Sequence, residues 1–473
     1  MRNFLIIATV ASALSGCVVS HVDPQKPELP LPVALPEQAQ ATAPLPNPWW
    51  TLFDDAALNS LMDEALAHNP DVAIAAARVM QARAALGISN ADRWPAVEAE
   101  GYATRSKDSL YVNSVPGVSR YRTTYTVQGA ASFELDLWGK YLRASQSARA
   151  QLLNTEYGRE ATKLSLTGDV ARSYFGLIAA AQQLARGRDT LNTRVESLRI
   201  EKLRFDAGES DEFTFKRAEA DAAATRKSVH QLELELVQRT NAFGILLGRS
   251  PQDLVDRAIQ AQRTELPDVV KLPAALPSSV LENRPDIGAA EAALNASAYD
   301  IGVARAQMFP SISLTGVFGS VSPELSDLFT KPAAAWSATG GILQPIFEGG
   351  RLRSNLKRAE AVREERKAQY SKTVQNAFRE VLDALQGQSL IAGVSEANTQ
   401  QVDALSRATD LAELRYQQGD IAYLDLLDVR RGLFQAQIDQ VAAQRDALLN
   451  TVDLALAIGG GVGDRAEALT AKR

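Results

Sequence analysis

The chain has 473 residues, 46% of them hydrophobic and 22% charged, with 50 basic against 56 acidic side chains and a net charge of −6. Such a chain folds, with room for two or three domains, and it lacks the bulk positive charge of a nucleic-acid grip. One cysteine excludes a disulfide framework and any multi-cysteine zinc site. His21, His68 and His230 are too scattered to set a metal spacing, and no nucleophile elbow, dinucleotide fingerprint, phosphate loop or zinc-protease helix is present. The chain is therefore not read as an enzyme, and no cofactor is expected. Beyond the N-terminal segment no run of about 18 apolar residues predicts a spanning helix, whereas the short alternating strands of a β-barrel stay open.

In chain order, Arg2 supplies a positive start and Phe4 to Leu14 an apolar stretch too short to span a membrane, so residues 1–16 read as a signal peptide. Leu14-Ser15-Gly16-Cys17 resembles the bacterial lipobox. That resemblance implies that Cys17 receives a diacylglycerol, becomes the mature N-terminus and anchors the chain in lipid. The alternative is an ordinary signal with an incidental cysteine. Val18 follows, not the aspartate that resembles an inner-membrane retention signal, which points to the outer membrane. Eight of the 20 prolines fall between Pro24 and Pro48. Residues 17–50 therefore read as an extended arm, either tethered or packed along the body, because proline lacks an N–H and fixes φ.

The body repeats itself. At an offset of 215, Asn69-Pro70-Asp71 matches Arg284-Pro285-Asp286, Gly87 matches Gly302 and Trp94-Pro95 matches Phe309-Pro310. At an offset of 211, Leu203-Arg204-Phe205 matches Leu414-Arg415-Tyr416, Gly208 matches Gly419 and Gly248 matches Gly459. Prolines and glycines kept in register define a first repeat at 51–250, a connector at 251–278, a second repeat at 279–461 and a tail at 462–473.

Each repeat opens with one short helix, starting near Asp55 or Ser279 and ending at Trp94-Pro95 or Phe309-Pro310. Alternation follows: Tyr125, Val127, Gly129, Ala131, Phe133 and Leu135 share one face, and Thr124, Thr126, Gln128, Ser132 and Glu134 the other. Period two predicts β-hairpins at 96–138 and 311–346. Four strands with an apolar outer face are unstable alone and call for copies; a small sandwich on a helical protein is the alternative. No proline occurs between Pro116 and Pro251 or after Pro345, and apolar steps of three and four recur, as in Leu153, Tyr157, Ala161, Leu164. Long helices are predicted at 139–206 and 212–247, and again at 351–416 and 423–458, the longest about 100 Å at 1.5 Å per residue. A second apolar stripe, Val170, Tyr174, Leu177, Ala181, Leu184, predicts neighbours on two sides; a plain antiparallel coiled coil explains only one stripe. Gly208 and Gly419 are expected at the tips of the helical hairpins.

Lipobox, proline-rich arm, tandem repeats, two hairpins and paired long helices, in that order, resemble the outer membrane factors of Gram-negative bacteria. These are the TolC-like and OprM-like channels, whose lipoprotein branch, often called NodT, the chain resembles. Trp49-Trp50, Phe133-Glu134-Leu135-Asp136-Leu137-Trp138-Gly139, Pro345-Ile346-Phe347-Glu348-Gly349-Gly350 and Leu424-Asp425-Leu426-Leu427-Asp428 carry it. The resemblance implies a mixed α and β fold: a homotrimer whose 12-stranded outer-membrane barrel, four strands per chain, continues into a periplasmic α-helical barrel. It also implies a periplasmic adaptor and an inner-membrane pump of the resistance-nodulation-division type as partners, with passive conduction of expelled solutes. An exit duct for type I protein secretion and a pore-free periplasmic coiled-coil adaptor lipoprotein are the alternatives.

For the site, the resemblance implies a periplasmic gate ringed by Asp425 and Asp428 and latched through Tyr416. The sequence departs from the TolC pattern at Ile421, where that pattern has an arginine, and at Thr214, where it has an aspartate, both part of a closing latch. Acids after a hairpin turn, such as Asp211 and Asp420, are also read as ordinary helix caps.

Overall fold

The computed structural model describes residues 27, 46–109, 111, 119–256, 265–270 and 284–460. Cys17, the signal peptide, most of the arm, the start predicted near Ser279 and the 462–473 tail lie outside them. The chain divides into two compact units, one containing Arg78–Thr155 and Ala289–Ser371, the other Glu156–Gly288, Lys372–Arg473 and the segment that ends at Ala77.

The first unit holds the sheet. Strands β1 (Ala96–Lys107), β2 (Tyr121–Leu135), β3 (Ser311–Ser322) and β4 (Ala334–Leu343) pair antiparallel in the order β1-β2-β3-β4. Register aligns Ala99 with Gly129, Gly129 with Phe318 and Phe318 with Trp336, so apolar positions meet across all four strands. That face is bare: Val97, Phe318, Trp336 and Ile342 are at least 70% exposed, while Thr126, on the polar face, is buried. β1 and β4 are edges without a partner among the described residues.

The second unit holds the core. A short 3-10 turn, Trp49–Phe53, leads to α1 (Ala56–His68) and packs Trp49 and Phe53 against Tyr174, Phe175, Phe243 and Leu448. The Phe53 and Phe175 rings meet edge to face at 4.9 Å. Polar tips within this core are paired: Trp49 Nε1 donates to Thr167 Oγ1 at 3.1 Å, and Tyr174 Oη donates to Asp55 Oδ2 at 3.0 Å. Asp55 also caps α1, accepting from the amides of Ala57 and Leu58.

The single opening helix expected in the first repeat is two. Helix α2 runs over Pro70–Ala91, and Asn69 between them is extended, at φ −65° and ψ 129°. The cause is local: Pro70 disfavours helical backbone at the residue before it and itself suits the first position of a new helix. Asn69 then works twice, its Oδ1 accepting from the Asp71 amide at 2.8 Å and its Nδ2 donating to the Leu246 carbonyl at 2.9 Å. Leu246 is the last residue of a later helix, so α2 begins where that helix stops. By length and mean hydropathy α2 also reaches the range of a spanning helix, although it holds no unbroken apolar run. Yet Arg78 and Arg83 interrupt it and it leads within five residues into β1.

The long helices are α3 (Lys140–Asp206, 67 residues) and α4 (Glu212–Leu246, 35 residues) in the first repeat. A short α5 (Pro251–Asp256) follows, then α6 (Pro285–Ala306), the counterpart of α2. The second repeat ends with α7 (Arg351–Gln418, 68 residues) and α8 (Tyr423–Ala457, 35 residues). The duplication reaches the hydrogen bonds: Arg284, at the position of Asn69, donates Nη1 to the Ala457 carbonyl at the end of α8, at 3.0 Å.

Candidate functional site

The turns between the paired helices lie in the second unit, and the same backbone closes both. Gly208 has φ 75° and Gly419 φ 80°, the left-handed region that glycine enters without a Cβ clash. The Gly208 amide reaches Phe205 O and the Glu209 amide Arg204 O; the Gly419 amide reaches Tyr416 O and the Asp420 amide Arg415 O. These are the paired bonds of a Schellman motif, which satisfy carbonyls left over at a helix end.

Inside the turns, side chains bolt α3, α4, α7 and α8 together. Ala218, Tyr423 and Leu427 are buried, with Leu198 and Tyr416 against them. Beside them Asp221 on α4 is almost wholly buried. Arg194 Nε of α3 lies 3.0 Å from its Oδ2 as an ion pair without hydrogen-bond geometry, and its Oδ1 accepts from Arg431 Nε of α8 at 3.1 Å. Burial pulls the Arg194 guanidinium below its usual range, and the Asp221 charge opposes that shift.

A second network lies beside the first. Tyr416 of α7 donates its hydroxyl to Glu201 Oε1 of α3 at 2.7 Å and accepts from Arg204 Nη1 at 3.1 Å. Glu201 is 2% exposed and its Oε2 has no hydrogen-bond partner. Burial, then the bond to this carboxylate, raises the Tyr416 phenol well above its ordinary range, so it stays protonated. Arg430 of α8 donates to Glu413 Oε1 at 2.7 Å and to Ser197 Oγ at 2.9 Å. Tyr416 thus makes its bonds to the first repeat's long helix. A cavity of about 230 Å³ opens here between Glu201, Tyr416, Tyr423 and Arg430.

The acids at the tips divide. Asp211 caps α4, its Oδ1 accepting from the Thr214 amide at 2.7 Å. Asp420, also expected as a cap, does not cap α8; Ala422 holds that position. Asp425 reaches back with Oδ2 to the Ala422 amide at 3.2 Å. Asp428, one turn on, is exposed and makes no ion pair among the described residues, and exposed Leu424 adjoins Asp425. Glu201, Arg194, Asp221 and Arg430 escaped the sequence reading. The available signal was helical spacing, since 194, 197, 201 and 204 fall on one stripe of α3, but their partners lie on other helices.

Paired long helices, together with a four-stranded sheet whose apolar face is exposed to solvent, are the architecture of an outer membrane channel subunit. The chain belongs to the outer membrane efflux protein family, whose model matches residues 61–249 and again 276–460, once per repeat. It is 34% identical to the cation efflux system protein CusC of Escherichia coli O6:H1 over 96% of this chain and 97% of that one. It is 35% identical to the solvent efflux pump outer membrane protein SrpC of Pseudomonas putida, over 95% and 96%. The crystal structure of the Campylobacter jejuni CmeC outer membrane channel superposes with a TM-score of 0.86 at 25% identity, covering 94% of this chain and 98% of that one. The protein is thus an outer membrane efflux channel component, located in the outer membrane.

Proposed function

We propose that three copies close their sheets edge to edge into one 12-stranded barrel and pass solutes outward, delivered by a periplasmic adaptor and an inner-membrane pump of the resistance-nodulation-division type. One observation carries this reading: an apolar sheet face exposed to solvent, bounded by β1 and β4, which have no further strand partner among the described residues. Exposed edges beside a bare apolar face are unfavourable in water, whereas closure in lipid removes both. The conduit itself is passive. Relatives of nearly equal identity are named for cations and for solvents, which supports selection of cargo by the partner pump and not by this subunit.

In this reading Asp425 and Asp428 ring the periplasmic mouth, where six carboxylates attract cations, and the Tyr416–Glu201–Arg204 network holds the tips in register. Cys17 carries the lipid anchor. Mass measurement and negative-stain imaging of the detergent-purified mature protein test the architecture. A trimer near 150 kDa, about three times the 51.1 kDa chain, with the outline of a long cylinder supports it; a monomer without a cylinder overturns it. Cys17→Ser is expected to abolish acyl labelling, and labelling that persists refutes that anchor.

A further inference from the structure

The apolar face of the sheet changes character at one end. On β1 it runs through Val97, Ala99, Gly101 and Ala103, and the same alternation continues it onto Arg105 and Lys107. Lys107 pairs with Tyr121, whose ring is the meeting point of both cations: Lys107 Nζ lies 5.2 Å and Arg105 Cζ 5.9 Å from its centroid. All three side chains are exposed, and neither cation makes an ion pair among the described residues. No other charged side chain occupies this face of any of the four strands. The strand acids Glu98, Glu100 and Glu134, and the cation Arg122, all fall on the opposite face.

Position gives the pair its meaning. It sits at the strand ends remote from α2 and α3, which join β1 and β2 at their other ends. Ala103, the last uncharged position of β1 on this face, pairs with Tyr125, and from that level to Leu135 the band covers ten residue steps, about 33 Å along the strand. At a barrel tilt of about 40° that is about 25 Å of height, the thickness of an outer-membrane apolar band. Arg105 and Lys107 therefore come just beyond the hydrocarbon. Their aliphatic stems can lie on the band while the charges reach the headgroups, with a tyrosine at the boundary.

We propose that Arg105 and Lys107, braced by Tyr121, form a cationic collar that binds the phosphate groups of the phosphorylated glycolipid in the outer leaflet. The inference rests on the reading of this face as lipid-facing. Guanidinium and ammonium groups bind phosphate through charge-assisted hydrogen bonds, and the uncharged band places them at the depth of that headgroup.

The test compares full-length protein with Arg105→Gln plus Lys107→Gln, and with Arg122→Gln as a control on the opposite face. Each is incubated in phosphatidylcholine vesicles holding either bisphosphorylated lipid A or lipid A stripped of both phosphates, then re-extracted, and the retained lipid A is counted by mass spectrometry. Retention by the wild type is expected to depend on the phosphates. It should fall about tenfold in the double variant, as for loss of a charge-assisted contact, and stay unchanged in Arg122→Gln. Equal retention by wild type and double variant overturns the proposal. Single-channel conductance of the same preparations separates the two readings. A conducting wild type with equal retention removes the collar and leaves the channel, whereas a wild type that forms no conducting oligomer removes both.

Discussion

The two repeats close their helical hairpins with one backbone and two different sets of acids. Gly208 and Gly419 repeat the same turn down to the paired amide bonds. Yet the first repeat places Asp211 at the cap of its returning helix, while the second places Ala422 there and moves its acid to Asp425, with Asp428 one turn further on. In the first tip the carboxylate is occupied by structure, accepting from Thr214 at 2.7 Å. In the second the bond to Ala422 is longer, at 3.2 Å, and Asp428 has no such duty. A duplicated scaffold has kept the turn and released acids from the work of holding it.

Substitutions can break or sharpen this comparison. The largest loss is expected from Asp221→Ala, which strands Arg194 in a buried site. Removing one partner of a buried pair costs about 3–5 kcal/mol, and thermal unfolding followed by helical circular dichroism measures it. Adding Arg194→Met should restore much of that stability, since two apolar groups replace a pair at little cost. Next, Tyr416→Phe removes the hydroxyl donor to Glu201, a buried carboxylate, for a loss of about 1–3 kcal/mol. Its pH dependence has a definite sign. The folded phenol holds its proton above the unfolded value, so the wild type loses stability as pH rises past about 10, where unfolded tyrosine ionises, and Tyr416→Phe does not share that loss. Stability curves at pH 8 and pH 10.5 for both proteins decide the matter.

Smaller still, Asp211→Ala should cost about 0.5–2 kcal/mol as a lost cap, against a few tenths for Asp425→Ala. Equal losses at the two tips would erase the difference between them. Asp425→Ala with Asp428→Ala should leave the melting temperature nearly unmoved while the channel leaks more and multivalent cations block it less. Planar-bilayer recordings showing unchanged conductance and block would remove these acids from the gate.

The architecture was legible because its signals are periodic. Apolar steps along Leu153, Tyr157, Ala161 and Leu164 and proline-free tracts mark helices, and alternation through Val127, Gly129 and Ala131 marks strands without any knowledge of partners. The Asn69–Pro70 break was written in the sequence but looked like the interior of one apolar helix, because what completes it, the Leu246 carbonyl, lies 177 residues away. The tip networks were hidden for the same reason: Tyr416 meets Glu201 across 215 residues and Arg431 meets Asp221 across 210. Local spacing puts a charged residue on a stripe and says nothing of which helix will face it. Tyr416 was singled out through resemblance, and its partners came only from the structure.

The recurrence of one hydrogen bond, Asn69 to Leu246 and Arg284 to Ala457, has a consequence for ancestry and symmetry. Each links the start of a short helix to the end of a long hairpin, so one repeat already carries the joint that lets helices be stacked end to end. A chain half this length would have to be drawn six times to supply the strands and hairpins of the proposed trimer, and all six tips would then be identical. Fusion of two copies into one polypeptide lowers the ring from six equal parts to three pairs. Only after that step can one tip specialise while its twin keeps the older, purely mechanical role.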